Sequence, residues 1–327
     1  MNLKDVKDWL GSDWTRVQDQ MKSALGNDID LLGKVNDAIL ANGGKQLRPV
    51  LTLLVARAIS GLPASMDACR YAAAAELLHN ATLLHDDVAD QSDVRRGKQT
   101  INSLLGPSAS VLVGDFWLVK AVSCILDAER SSDRVIRLFA KTLSDLAEGE
   151  MLQLQKADSC DTDQEAYLRI IYSKTASLFE AACVSGAIAA DASEEQVSAV
   201  RDYAVNLGLA FQIRDDIFDY SLGMNVGKPV GADILERKIT MPLLGAFVNA
   251  GPEEEARVRN LVRSVGDNTD VREEICEFVR ANQGIEYAQR KLEIYIDRAL
   301  EALKMLPQSF ERTHLSSLVC YVGNRKI

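Results

Sequence analysis

Several things are scarce in this chain, and each shortage removes a class of function. There are only three histidines and six cysteines in 327 residues, and aromatic side chains make up 6%. The cysteines, at positions 69, 124, 160, 183, 276 and 320, form no CxxC pair and no zinc-like spacing, so they read as reduced core thiols of a cytoplasmic protein. No basic excess exists either. Lys and Arg number 37 against 47 Asp and Glu, a net charge of −10, which excludes general nucleic-acid binding by a basic surface. Residues Met1 to Asp30 mix charges with Trp9 and Trp14 and lack the apolar core and small-residue cleavage site of a signal peptide. No run of about 18 uninterrupted apolar residues suggests a membrane-spanning helix.

Proline is also rare, with seven in all, and it falls at segment ends. Sustained alternation of β-branched residues is missing, whereas Ala, Leu, Glu, Gln, Lys and Arg fill the long segments, so helices are expected throughout. Breaks are expected near Gly43-Gly44, Gly61-Leu62-Pro63, Gly106-Pro107, Ser131-Ser132, Asp158 to Asp163, Asp191 to Glu194, Gly223 to Gly231, Gly251-Pro252 and Gly266 to Asp270. Between them lie about ten helix-length pieces; Asn268 to Glu301 reads as one charged amphipathic stretch. No period of 20–50 residues repeats. The expectation is one all-α domain over residues 1–327, a large bundle of about ten or more helices around a central cavity.

What is present is an acidic signature in two copies, Asp86-Asp87-Val88-Ala89-Asp90 and Asp215-Asp216-Ile217-Phe218-Asp219. Each follows an apolar run free of Pro, so each belongs on a helix where residues four apart share a face. Stacked like charges repel by roughly 0.2–0.5 kcal/mol per pair. A cation should compensate. Mg²⁺ takes one or two protein carboxylates and completes its shell with water and phosphate oxygens. Two such clusters could hold a diphosphate through shared metal ions; the plainer alternative is two solvated helix faces.

Basic and polar residues accompany the acids. His79 stands two turns before Asp86 on the same face, either a phosphate donor or a satisfied core histidine. His85 adjoins the aspartates but points off their face. Arg95-Arg96 follows Asp90 before Gly97, and arginine forks suit phosphate geometry. Gly43-Gly44-Lys45-Gln46-Leu47-Arg48-Pro49 is not a P-loop, since no G-x-x-x-x-G-K-[ST] surrounds it, yet it can present Lys45 and Arg48 to an anion. Gly227-Lys228-Pro229 and Glu236-Arg237-Lys238 add cations late in the chain. Lys174-Thr175 and Gln212 complete the set. Together they imply two kinds of anion site, one bridged by metal and one gripped directly.

These stretches resemble the trans-isoprenyl (polyprenyl) diphosphate synthases over nearly the whole length. Gly43 to Pro49, LLHDDVADQSDVRRG (Leu83 to Gly97), FQIRDDIFD (Phe211 to Asp219) and GKPVGADILERKITMP (Gly227 to Pro242) look like the family's motifs in the family's order. The resemblance implies that Lys45, Arg48, His79 and Arg96 bind isopentenyl diphosphate. It implies that Asp86, Asp90 and Asp215 hold two or three Mg²⁺ ions with Asp87, Asp216 and Asp219 nearby. Arg95, Lys174, Thr175, Gln212, Lys228 and Lys238 would hold the allylic diphosphate primer, farnesyl or similar. Arg237 departs from the family, which often has glycine there. The implied chemistry is ionisation, condensation and elimination, with a homodimer and peripheral membrane contact during product release. Val111 to Leu126 is a candidate for the dimer interface.

Product length should depend on the tail's path beside the first acidic helix. Ala81 and Thr82, five and four residues before Asp86, with Leu77, Leu78 and Ala72 to Ala75 beyond, are small or aliphatic, where farnesyl synthases often carry aromatic blocks. This suggests a deep channel and a long, octaprenyl-type product for a quinone side chain; alanines that merely let helices approach closely are the alternative. A short-chain geranylgeranyl or farnesyl synthase differs only in where the channel ends. A terpene cyclase needs no isopentenyl site, so Lys45, Arg48 and Arg96 count against it. An inactive partner subunit would show gaps in the motifs, and there are none.

Overall fold

The computed structural model describes residues 3–220, 231–266 and 268–324. Among them the chain is all-α apart from one hairpin of two short strands. In chain order it forms α1 (Leu3–Leu10), α2 (Ser12–Ala24), α3 (Asp30–Ala41), α4 (Leu47–Ser60), α5 (Met66–Ala89), β1 (Val94–Arg95), β2 (Lys98–Gln99), α6 (Ile101–Leu105), α7 (Pro107–Leu126) and α8 (Ser132–Ser159). Then come α9 (Gln164–Ile171), a π turn (Tyr172–Ala176), α10 (Ser177–Ala189), α11 (Glu194–Asp219), α12 (Ala232–Leu235), α13 (Met241–Ala250), α14 (Pro252–Ser264), α15 (Thr269–Ala281), α16 (Gly284–Ala302), a 3₁₀ turn (Leu303–Met305) and α17 (Phe310–Asn324).

The expected breaks fall between helices wherever they are described. The number of helices agrees with the expectation of ten or more. The charged amphipathic stretch Asn268 to Glu301 is built as two helices: α15 ends at Ala281, Gln283 takes a φ of 53°, and α16 follows. The reason lies at Gly284, where a Cβ would run into the carbonyl oxygen of Pro242, so the chain turns to let α16 meet α13.

The chain divides into two compact units, and α8, α10, α11 and α17 each contribute residues to both. The first comprises Met1–Ala140, Glu180–Arg201 and Lys304–Leu315. Its centre is α5, whose Ala72 to Ala75, Leu77 and Leu78 are buried with neighbours on every side. Ser65 starts this helix, its hydroxyl accepting the Ala68 N–H at 3.1 Å. α5 packs on α7, α4 and α2. Among the described residues one helix, α7, is long and apolar enough to cross a membrane by length and composition. One of its faces is buried through Val113, Trp117, Ala121 and Ile125, with the Trp117 indole donating to Asn36 Oδ1 at 2.8 Å.

The second unit comprises Lys141–Phe179, Asp202–Leu303 and Ser316–Ile327. α13 is its hub and packs on α14, α15 and α16. α9 is capped by Asp163, whose carboxylate accepts the Ala166 N–H at 2.8 Å.

Candidate active site

In the first unit the functional side chains are gathered by one tight turn. Gly44 has a φ of +59° and Gln46, the residue before α4, a φ of 52°. A Cβ on Gly44 would lie 2.5 Å from Cζ of Arg96, so the guanidinium rests against bare backbone. Arg96 Nη1 also donates to the Asn42 carbonyl at 3.2 Å. Arg96 itself sits at φ 53° between β1 and β2, a hairpin too short to show as alternation in the sequence.

Arg48, in the first turn of α4, is half-buried. Burial lowers its pKa to about 10, against the pull of Glu76 and with a further push from Arg96; it remains cationic at neutral pH. His79 on α5 is held well below its ordinary value, first by burial and then by Arg48, Arg96 and Arg95. It is therefore a neutral imidazole with one N–H to donate. Lys45 is exposed in the same turn. Arg48, His79 and Arg96, three of the four residues expected to meet one diphosphate, thus belong to one cluster, and Lys45 follows the Gly44 on which Arg96 rests.

From His79, α5 rises about 10.5 Å over the seven residues to Asp86. Here the acidic motif divides. Asp87 is buried and accepts Arg95 Nε at 2.7 Å on Oδ1, while Asp86 is half-buried and Asp90 exposed. His85 lies 3.2 Å from Asp115 of α7, a supporting pair off the acidic face.

The second motif, at the end of α11, divides the same way within the other unit. Asp216 is buried; the Tyr167 hydroxyl donates to its Oδ2 at 2.5 Å and Gln212 Nε2 to its Oδ1 at 2.9 Å. Thr175 Oγ1 donates in turn to Gln212 Oε1 at 2.9 Å. Burial, then the charge of Asp233, holds the Asp216 carboxyl well above the usual carboxylate range. Asp219 accepts the N–H groups of Ala232 and Asp233 at 3.0 and 3.1 Å and so caps α12. Asp215 is half-buried.

Lys174 and Thr175 stand on the π turn, a form that recurs at functional sites. Two glycines make room for it: a Cβ on Gly149 of α8 would lie 2.5 Å from Ser173 Cβ, and one on Gly208 of α11 would lie 2.5 Å from Ala176 Cα. Lys174 pairs with Glu150, and Lys238 with Glu236. Lys228 lies outside the described residues.

A family model described as polyprenyl synthetase matches residues 29–279. The chain belongs to the polyprenyl synthetase family. Among its relatives is the octaprenyl diphosphate synthase of Escherichia coli (strain K12), 37% identical over 319 residues that cover 97% of each chain. A decaprenyl diphosphate synthase from Rhodobacter capsulatus has a similar solved structure, with a TM-score of 0.90, 36% identity and 99% of each chain covered. A polyprenyl synthase from Caulobacter crescentus CB15, solved with calcium and isoprenyl diphosphate, gives a TM-score of 0.89 at 33% identity, covering 100% of this chain and 98% of that one.

For a polyprenyl synthetase, the acids fit magnesium rather than a preformed cage. Among the described residues no three His, Cys, Asp or Glu side chains are grouped to hold a metal, whereas Mg²⁺ asks for only one or two carboxylates when phosphate completes its shell. The residues expected to set product length are mostly sequestered: Leu77, Leu78 and Ala81 are buried, and half-buried Thr82 donates to the His79 carbonyl at 2.8 Å. Sequence reasoning missed Tyr167, Glu150, Lys7 and Glu76. Only Glu76 carried a local signal, a lone charge inside an apolar run.

Proposed function

We propose that this chain is a magnesium-dependent trans-polyprenyl diphosphate synthase that condenses isopentenyl diphosphate with an allylic diphosphate and makes a long-chain all-trans product for a quinone side chain. The observation that carries this reading is α5. That one helix bears a neutral phosphate-donating His79 inside a cluster with Arg48 and Arg96, and two turns later the Asp86/Asp90 pair.

Lys45, Arg48, His79 and Arg96 hold isopentenyl diphosphate, which a cyclase would not need. Asp86, Asp90 and Asp215 are the carboxylates that would hold Mg²⁺, and the ion would supply charge neutralisation at the departing pyrophosphate. Arg95, Lys174, Thr175, Gln212 and Lys238 grip the allylic diphosphate, with Lys228 assigned by resemblance alone. Asp87, Asp216 and Asp219 act from behind: their protein partners pin the helix ends that carry the other three carboxylates. No buried His or Glu side chain is needed as base, because the released pyrophosphate takes the proton. Apolar α5 keeps water from the allylic cation.

Ala81, Thr82, Leu77 and Leu78 set how far the tail descends. A single functional domain belongs to the reading, as does a cytoplasmic location, the latter supported by six free cysteines. A homodimer is supported by α7, where Leu112, Val119 and Leu126, seven residues apart, are 69%, 61% and 59% exposed. Peripheral membrane contact would serve release of so apolar a product.

The test is incubation with Mg²⁺, radiolabelled isopentenyl diphosphate and farnesyl diphosphate, followed by chromatography of the dephosphorylated products. A ladder ending well beyond the products of short-chain synthases is expected. Products no longer than geranylgeranyl would overturn the long-chain assignment, and no incorporation with any primer would overturn the activity.

A further inference from the structure

Glu76 has no part in the mechanism above, yet it is a carboxylate buried beside the cations of that cluster. It is 2% exposed, and its Oε2 has no hydrogen-bond partner. It lies on α5, one turn before His79 and Asn80. The charged groups acting on it come from three other elements: Arg48 on α4, Arg96 in the hairpin and Lys7 on α1. Lys7 also donates to Gln46 Oε1 at 3.1 Å, tying α1 to the turn that carries Lys45. His79, held neutral, adds no charge. A buried carboxylate among three cations that has an oxygen unclaimed is under-satisfied, and such a group is costly unless it has a function.

We infer that Glu76 is a positioning residue for the isopentenyl-diphosphate cations: its charge balances Arg48, Arg96 and Lys7 while the site is empty, and it takes up a proton when the diphosphate arrives to replace it. This rests on the functional reading above. The physical reason is competition. A multiply charged anion claims the same cations, so the carboxylate loses its compensation and binds a proton from solvent on the unclaimed oxygen; no other bond changes. Burial already pushes its pKa up to about 7, despite the three cations, so the empty site is poised to do so near neutrality.

The experiment is calorimetric titration of the full chain with isopentenyl diphosphate alone, in two buffers of different ionisation enthalpy, for wild type and Glu76→Gln. KM for each substrate is measured across the same pH range. Wild type should take up a proton on binding that Glu76→Gln does not. Its affinity for isopentenyl diphosphate should fall above neutrality, by up to about tenfold per pH unit for one linked proton. That extra slope should vanish in the variant, with the allylic KM unaffected. The diphosphate's own ionisation is common to both proteins and cancels. Should Glu76→Gln fail to fold, Glu76→Asp must retain the uptake. Equal uptake and equal slope in wild type and variant overturn the inference and leave the function standing. Wild type that neither binds nor condenses isopentenyl diphosphate overturns both.

Discussion

The guanidinium of Arg96 occupies the space beside Gly44 that the Cβ of any other residue would fill. Gly44→Ala would add that atom at a φ of +59°, where an L side chain is already strained. We expect a stability cost of about 1–2 kcal/mol and a rise of about tenfold in KM for isopentenyl diphosphate. Steady-state kinetics with each substrate varied in turn will check it. Equal effects on both KM values would mean that the contact does not serve one diphosphate in particular.

Tyr167 tests the support behind the second acidic motif. Tyr167→Phe removes the only hydroxyl donor to Asp216 Oδ2 given by the described contacts while keeping the buried ring. The expected cost is about 1–3 kcal/mol, because Asp216 is left short of a partner. The magnesium concentration for half-maximal activity should rise as well, read by metal titration alongside urea unfolding.

Two glycines make a matched pair. Gly208→Ala would press on Ala176 Cα, whereas a Cβ at Gly33 in α3 meets nothing within 4 Å. Gly208→Ala should destabilise by about 1–3 kcal/mol and lower kcat through the π turn that presents Lys174 and Thr175. Gly33→Ala should stabilise by about 0.5–1 kcal/mol. Thermal melts of the two variants should therefore move in opposite directions.

Stability without substrate should carry a mark of Glu76. Burial raises its pKa from 4.5 to about 7, so the unfolded chain gives up this proton first. The stabilising contribution is complete below pH 4.5 and is lost as pH rises to about 7. Relative to Glu76→Gln, wild type should lose up to about 3 kcal/mol across that window and then run parallel. Denaturant unfolding at stepped pH measures the difference.

Ala81 is buried on α5 five residues before Asp86. Ala81→Phe places a ring beside the expected tail path and should shorten the longest product by one or more isoprene units. Chromatography of labelled products decides it. An unchanged ladder would mean that the alanines serve helix packing and not the tail.

Much of this is legible in the sequence alone. The breaks were legible because Gly, Pro and capping residues act within a few positions, and the facing of Asp86 with Asp90 follows from helix phase. Which aspartates are held by protein was less so. The partner of Asp216, Tyr167, stands 49 residues away, and no local pattern announces it. The π turn was illegible for a similar reason: Tyr172 to Ala176 contains neither Gly nor Pro, and the room for it is supplied by Gly149 and Gly208 on other helices. Arg237, flagged as standing where relatives often have glycine, does adopt a φ of 56°, so local backbone geometry agrees with that reading.

The π turn also works as a phase shifter. One surplus residue rotates everything after it by about 100° relative to an uninterrupted helix. Tyr167, Ile170 and Ile171 are buried before it, and after it Ser177 to Ile188 are buried on every side, so the surplus residue sets the phase in which α10 meets all of its neighbours. Deleting a single residue there would restore a regular spiral and turn every side chain of the enclosed α10 toward the wrong neighbour, so this segment should tolerate substitutions far better than a change of length.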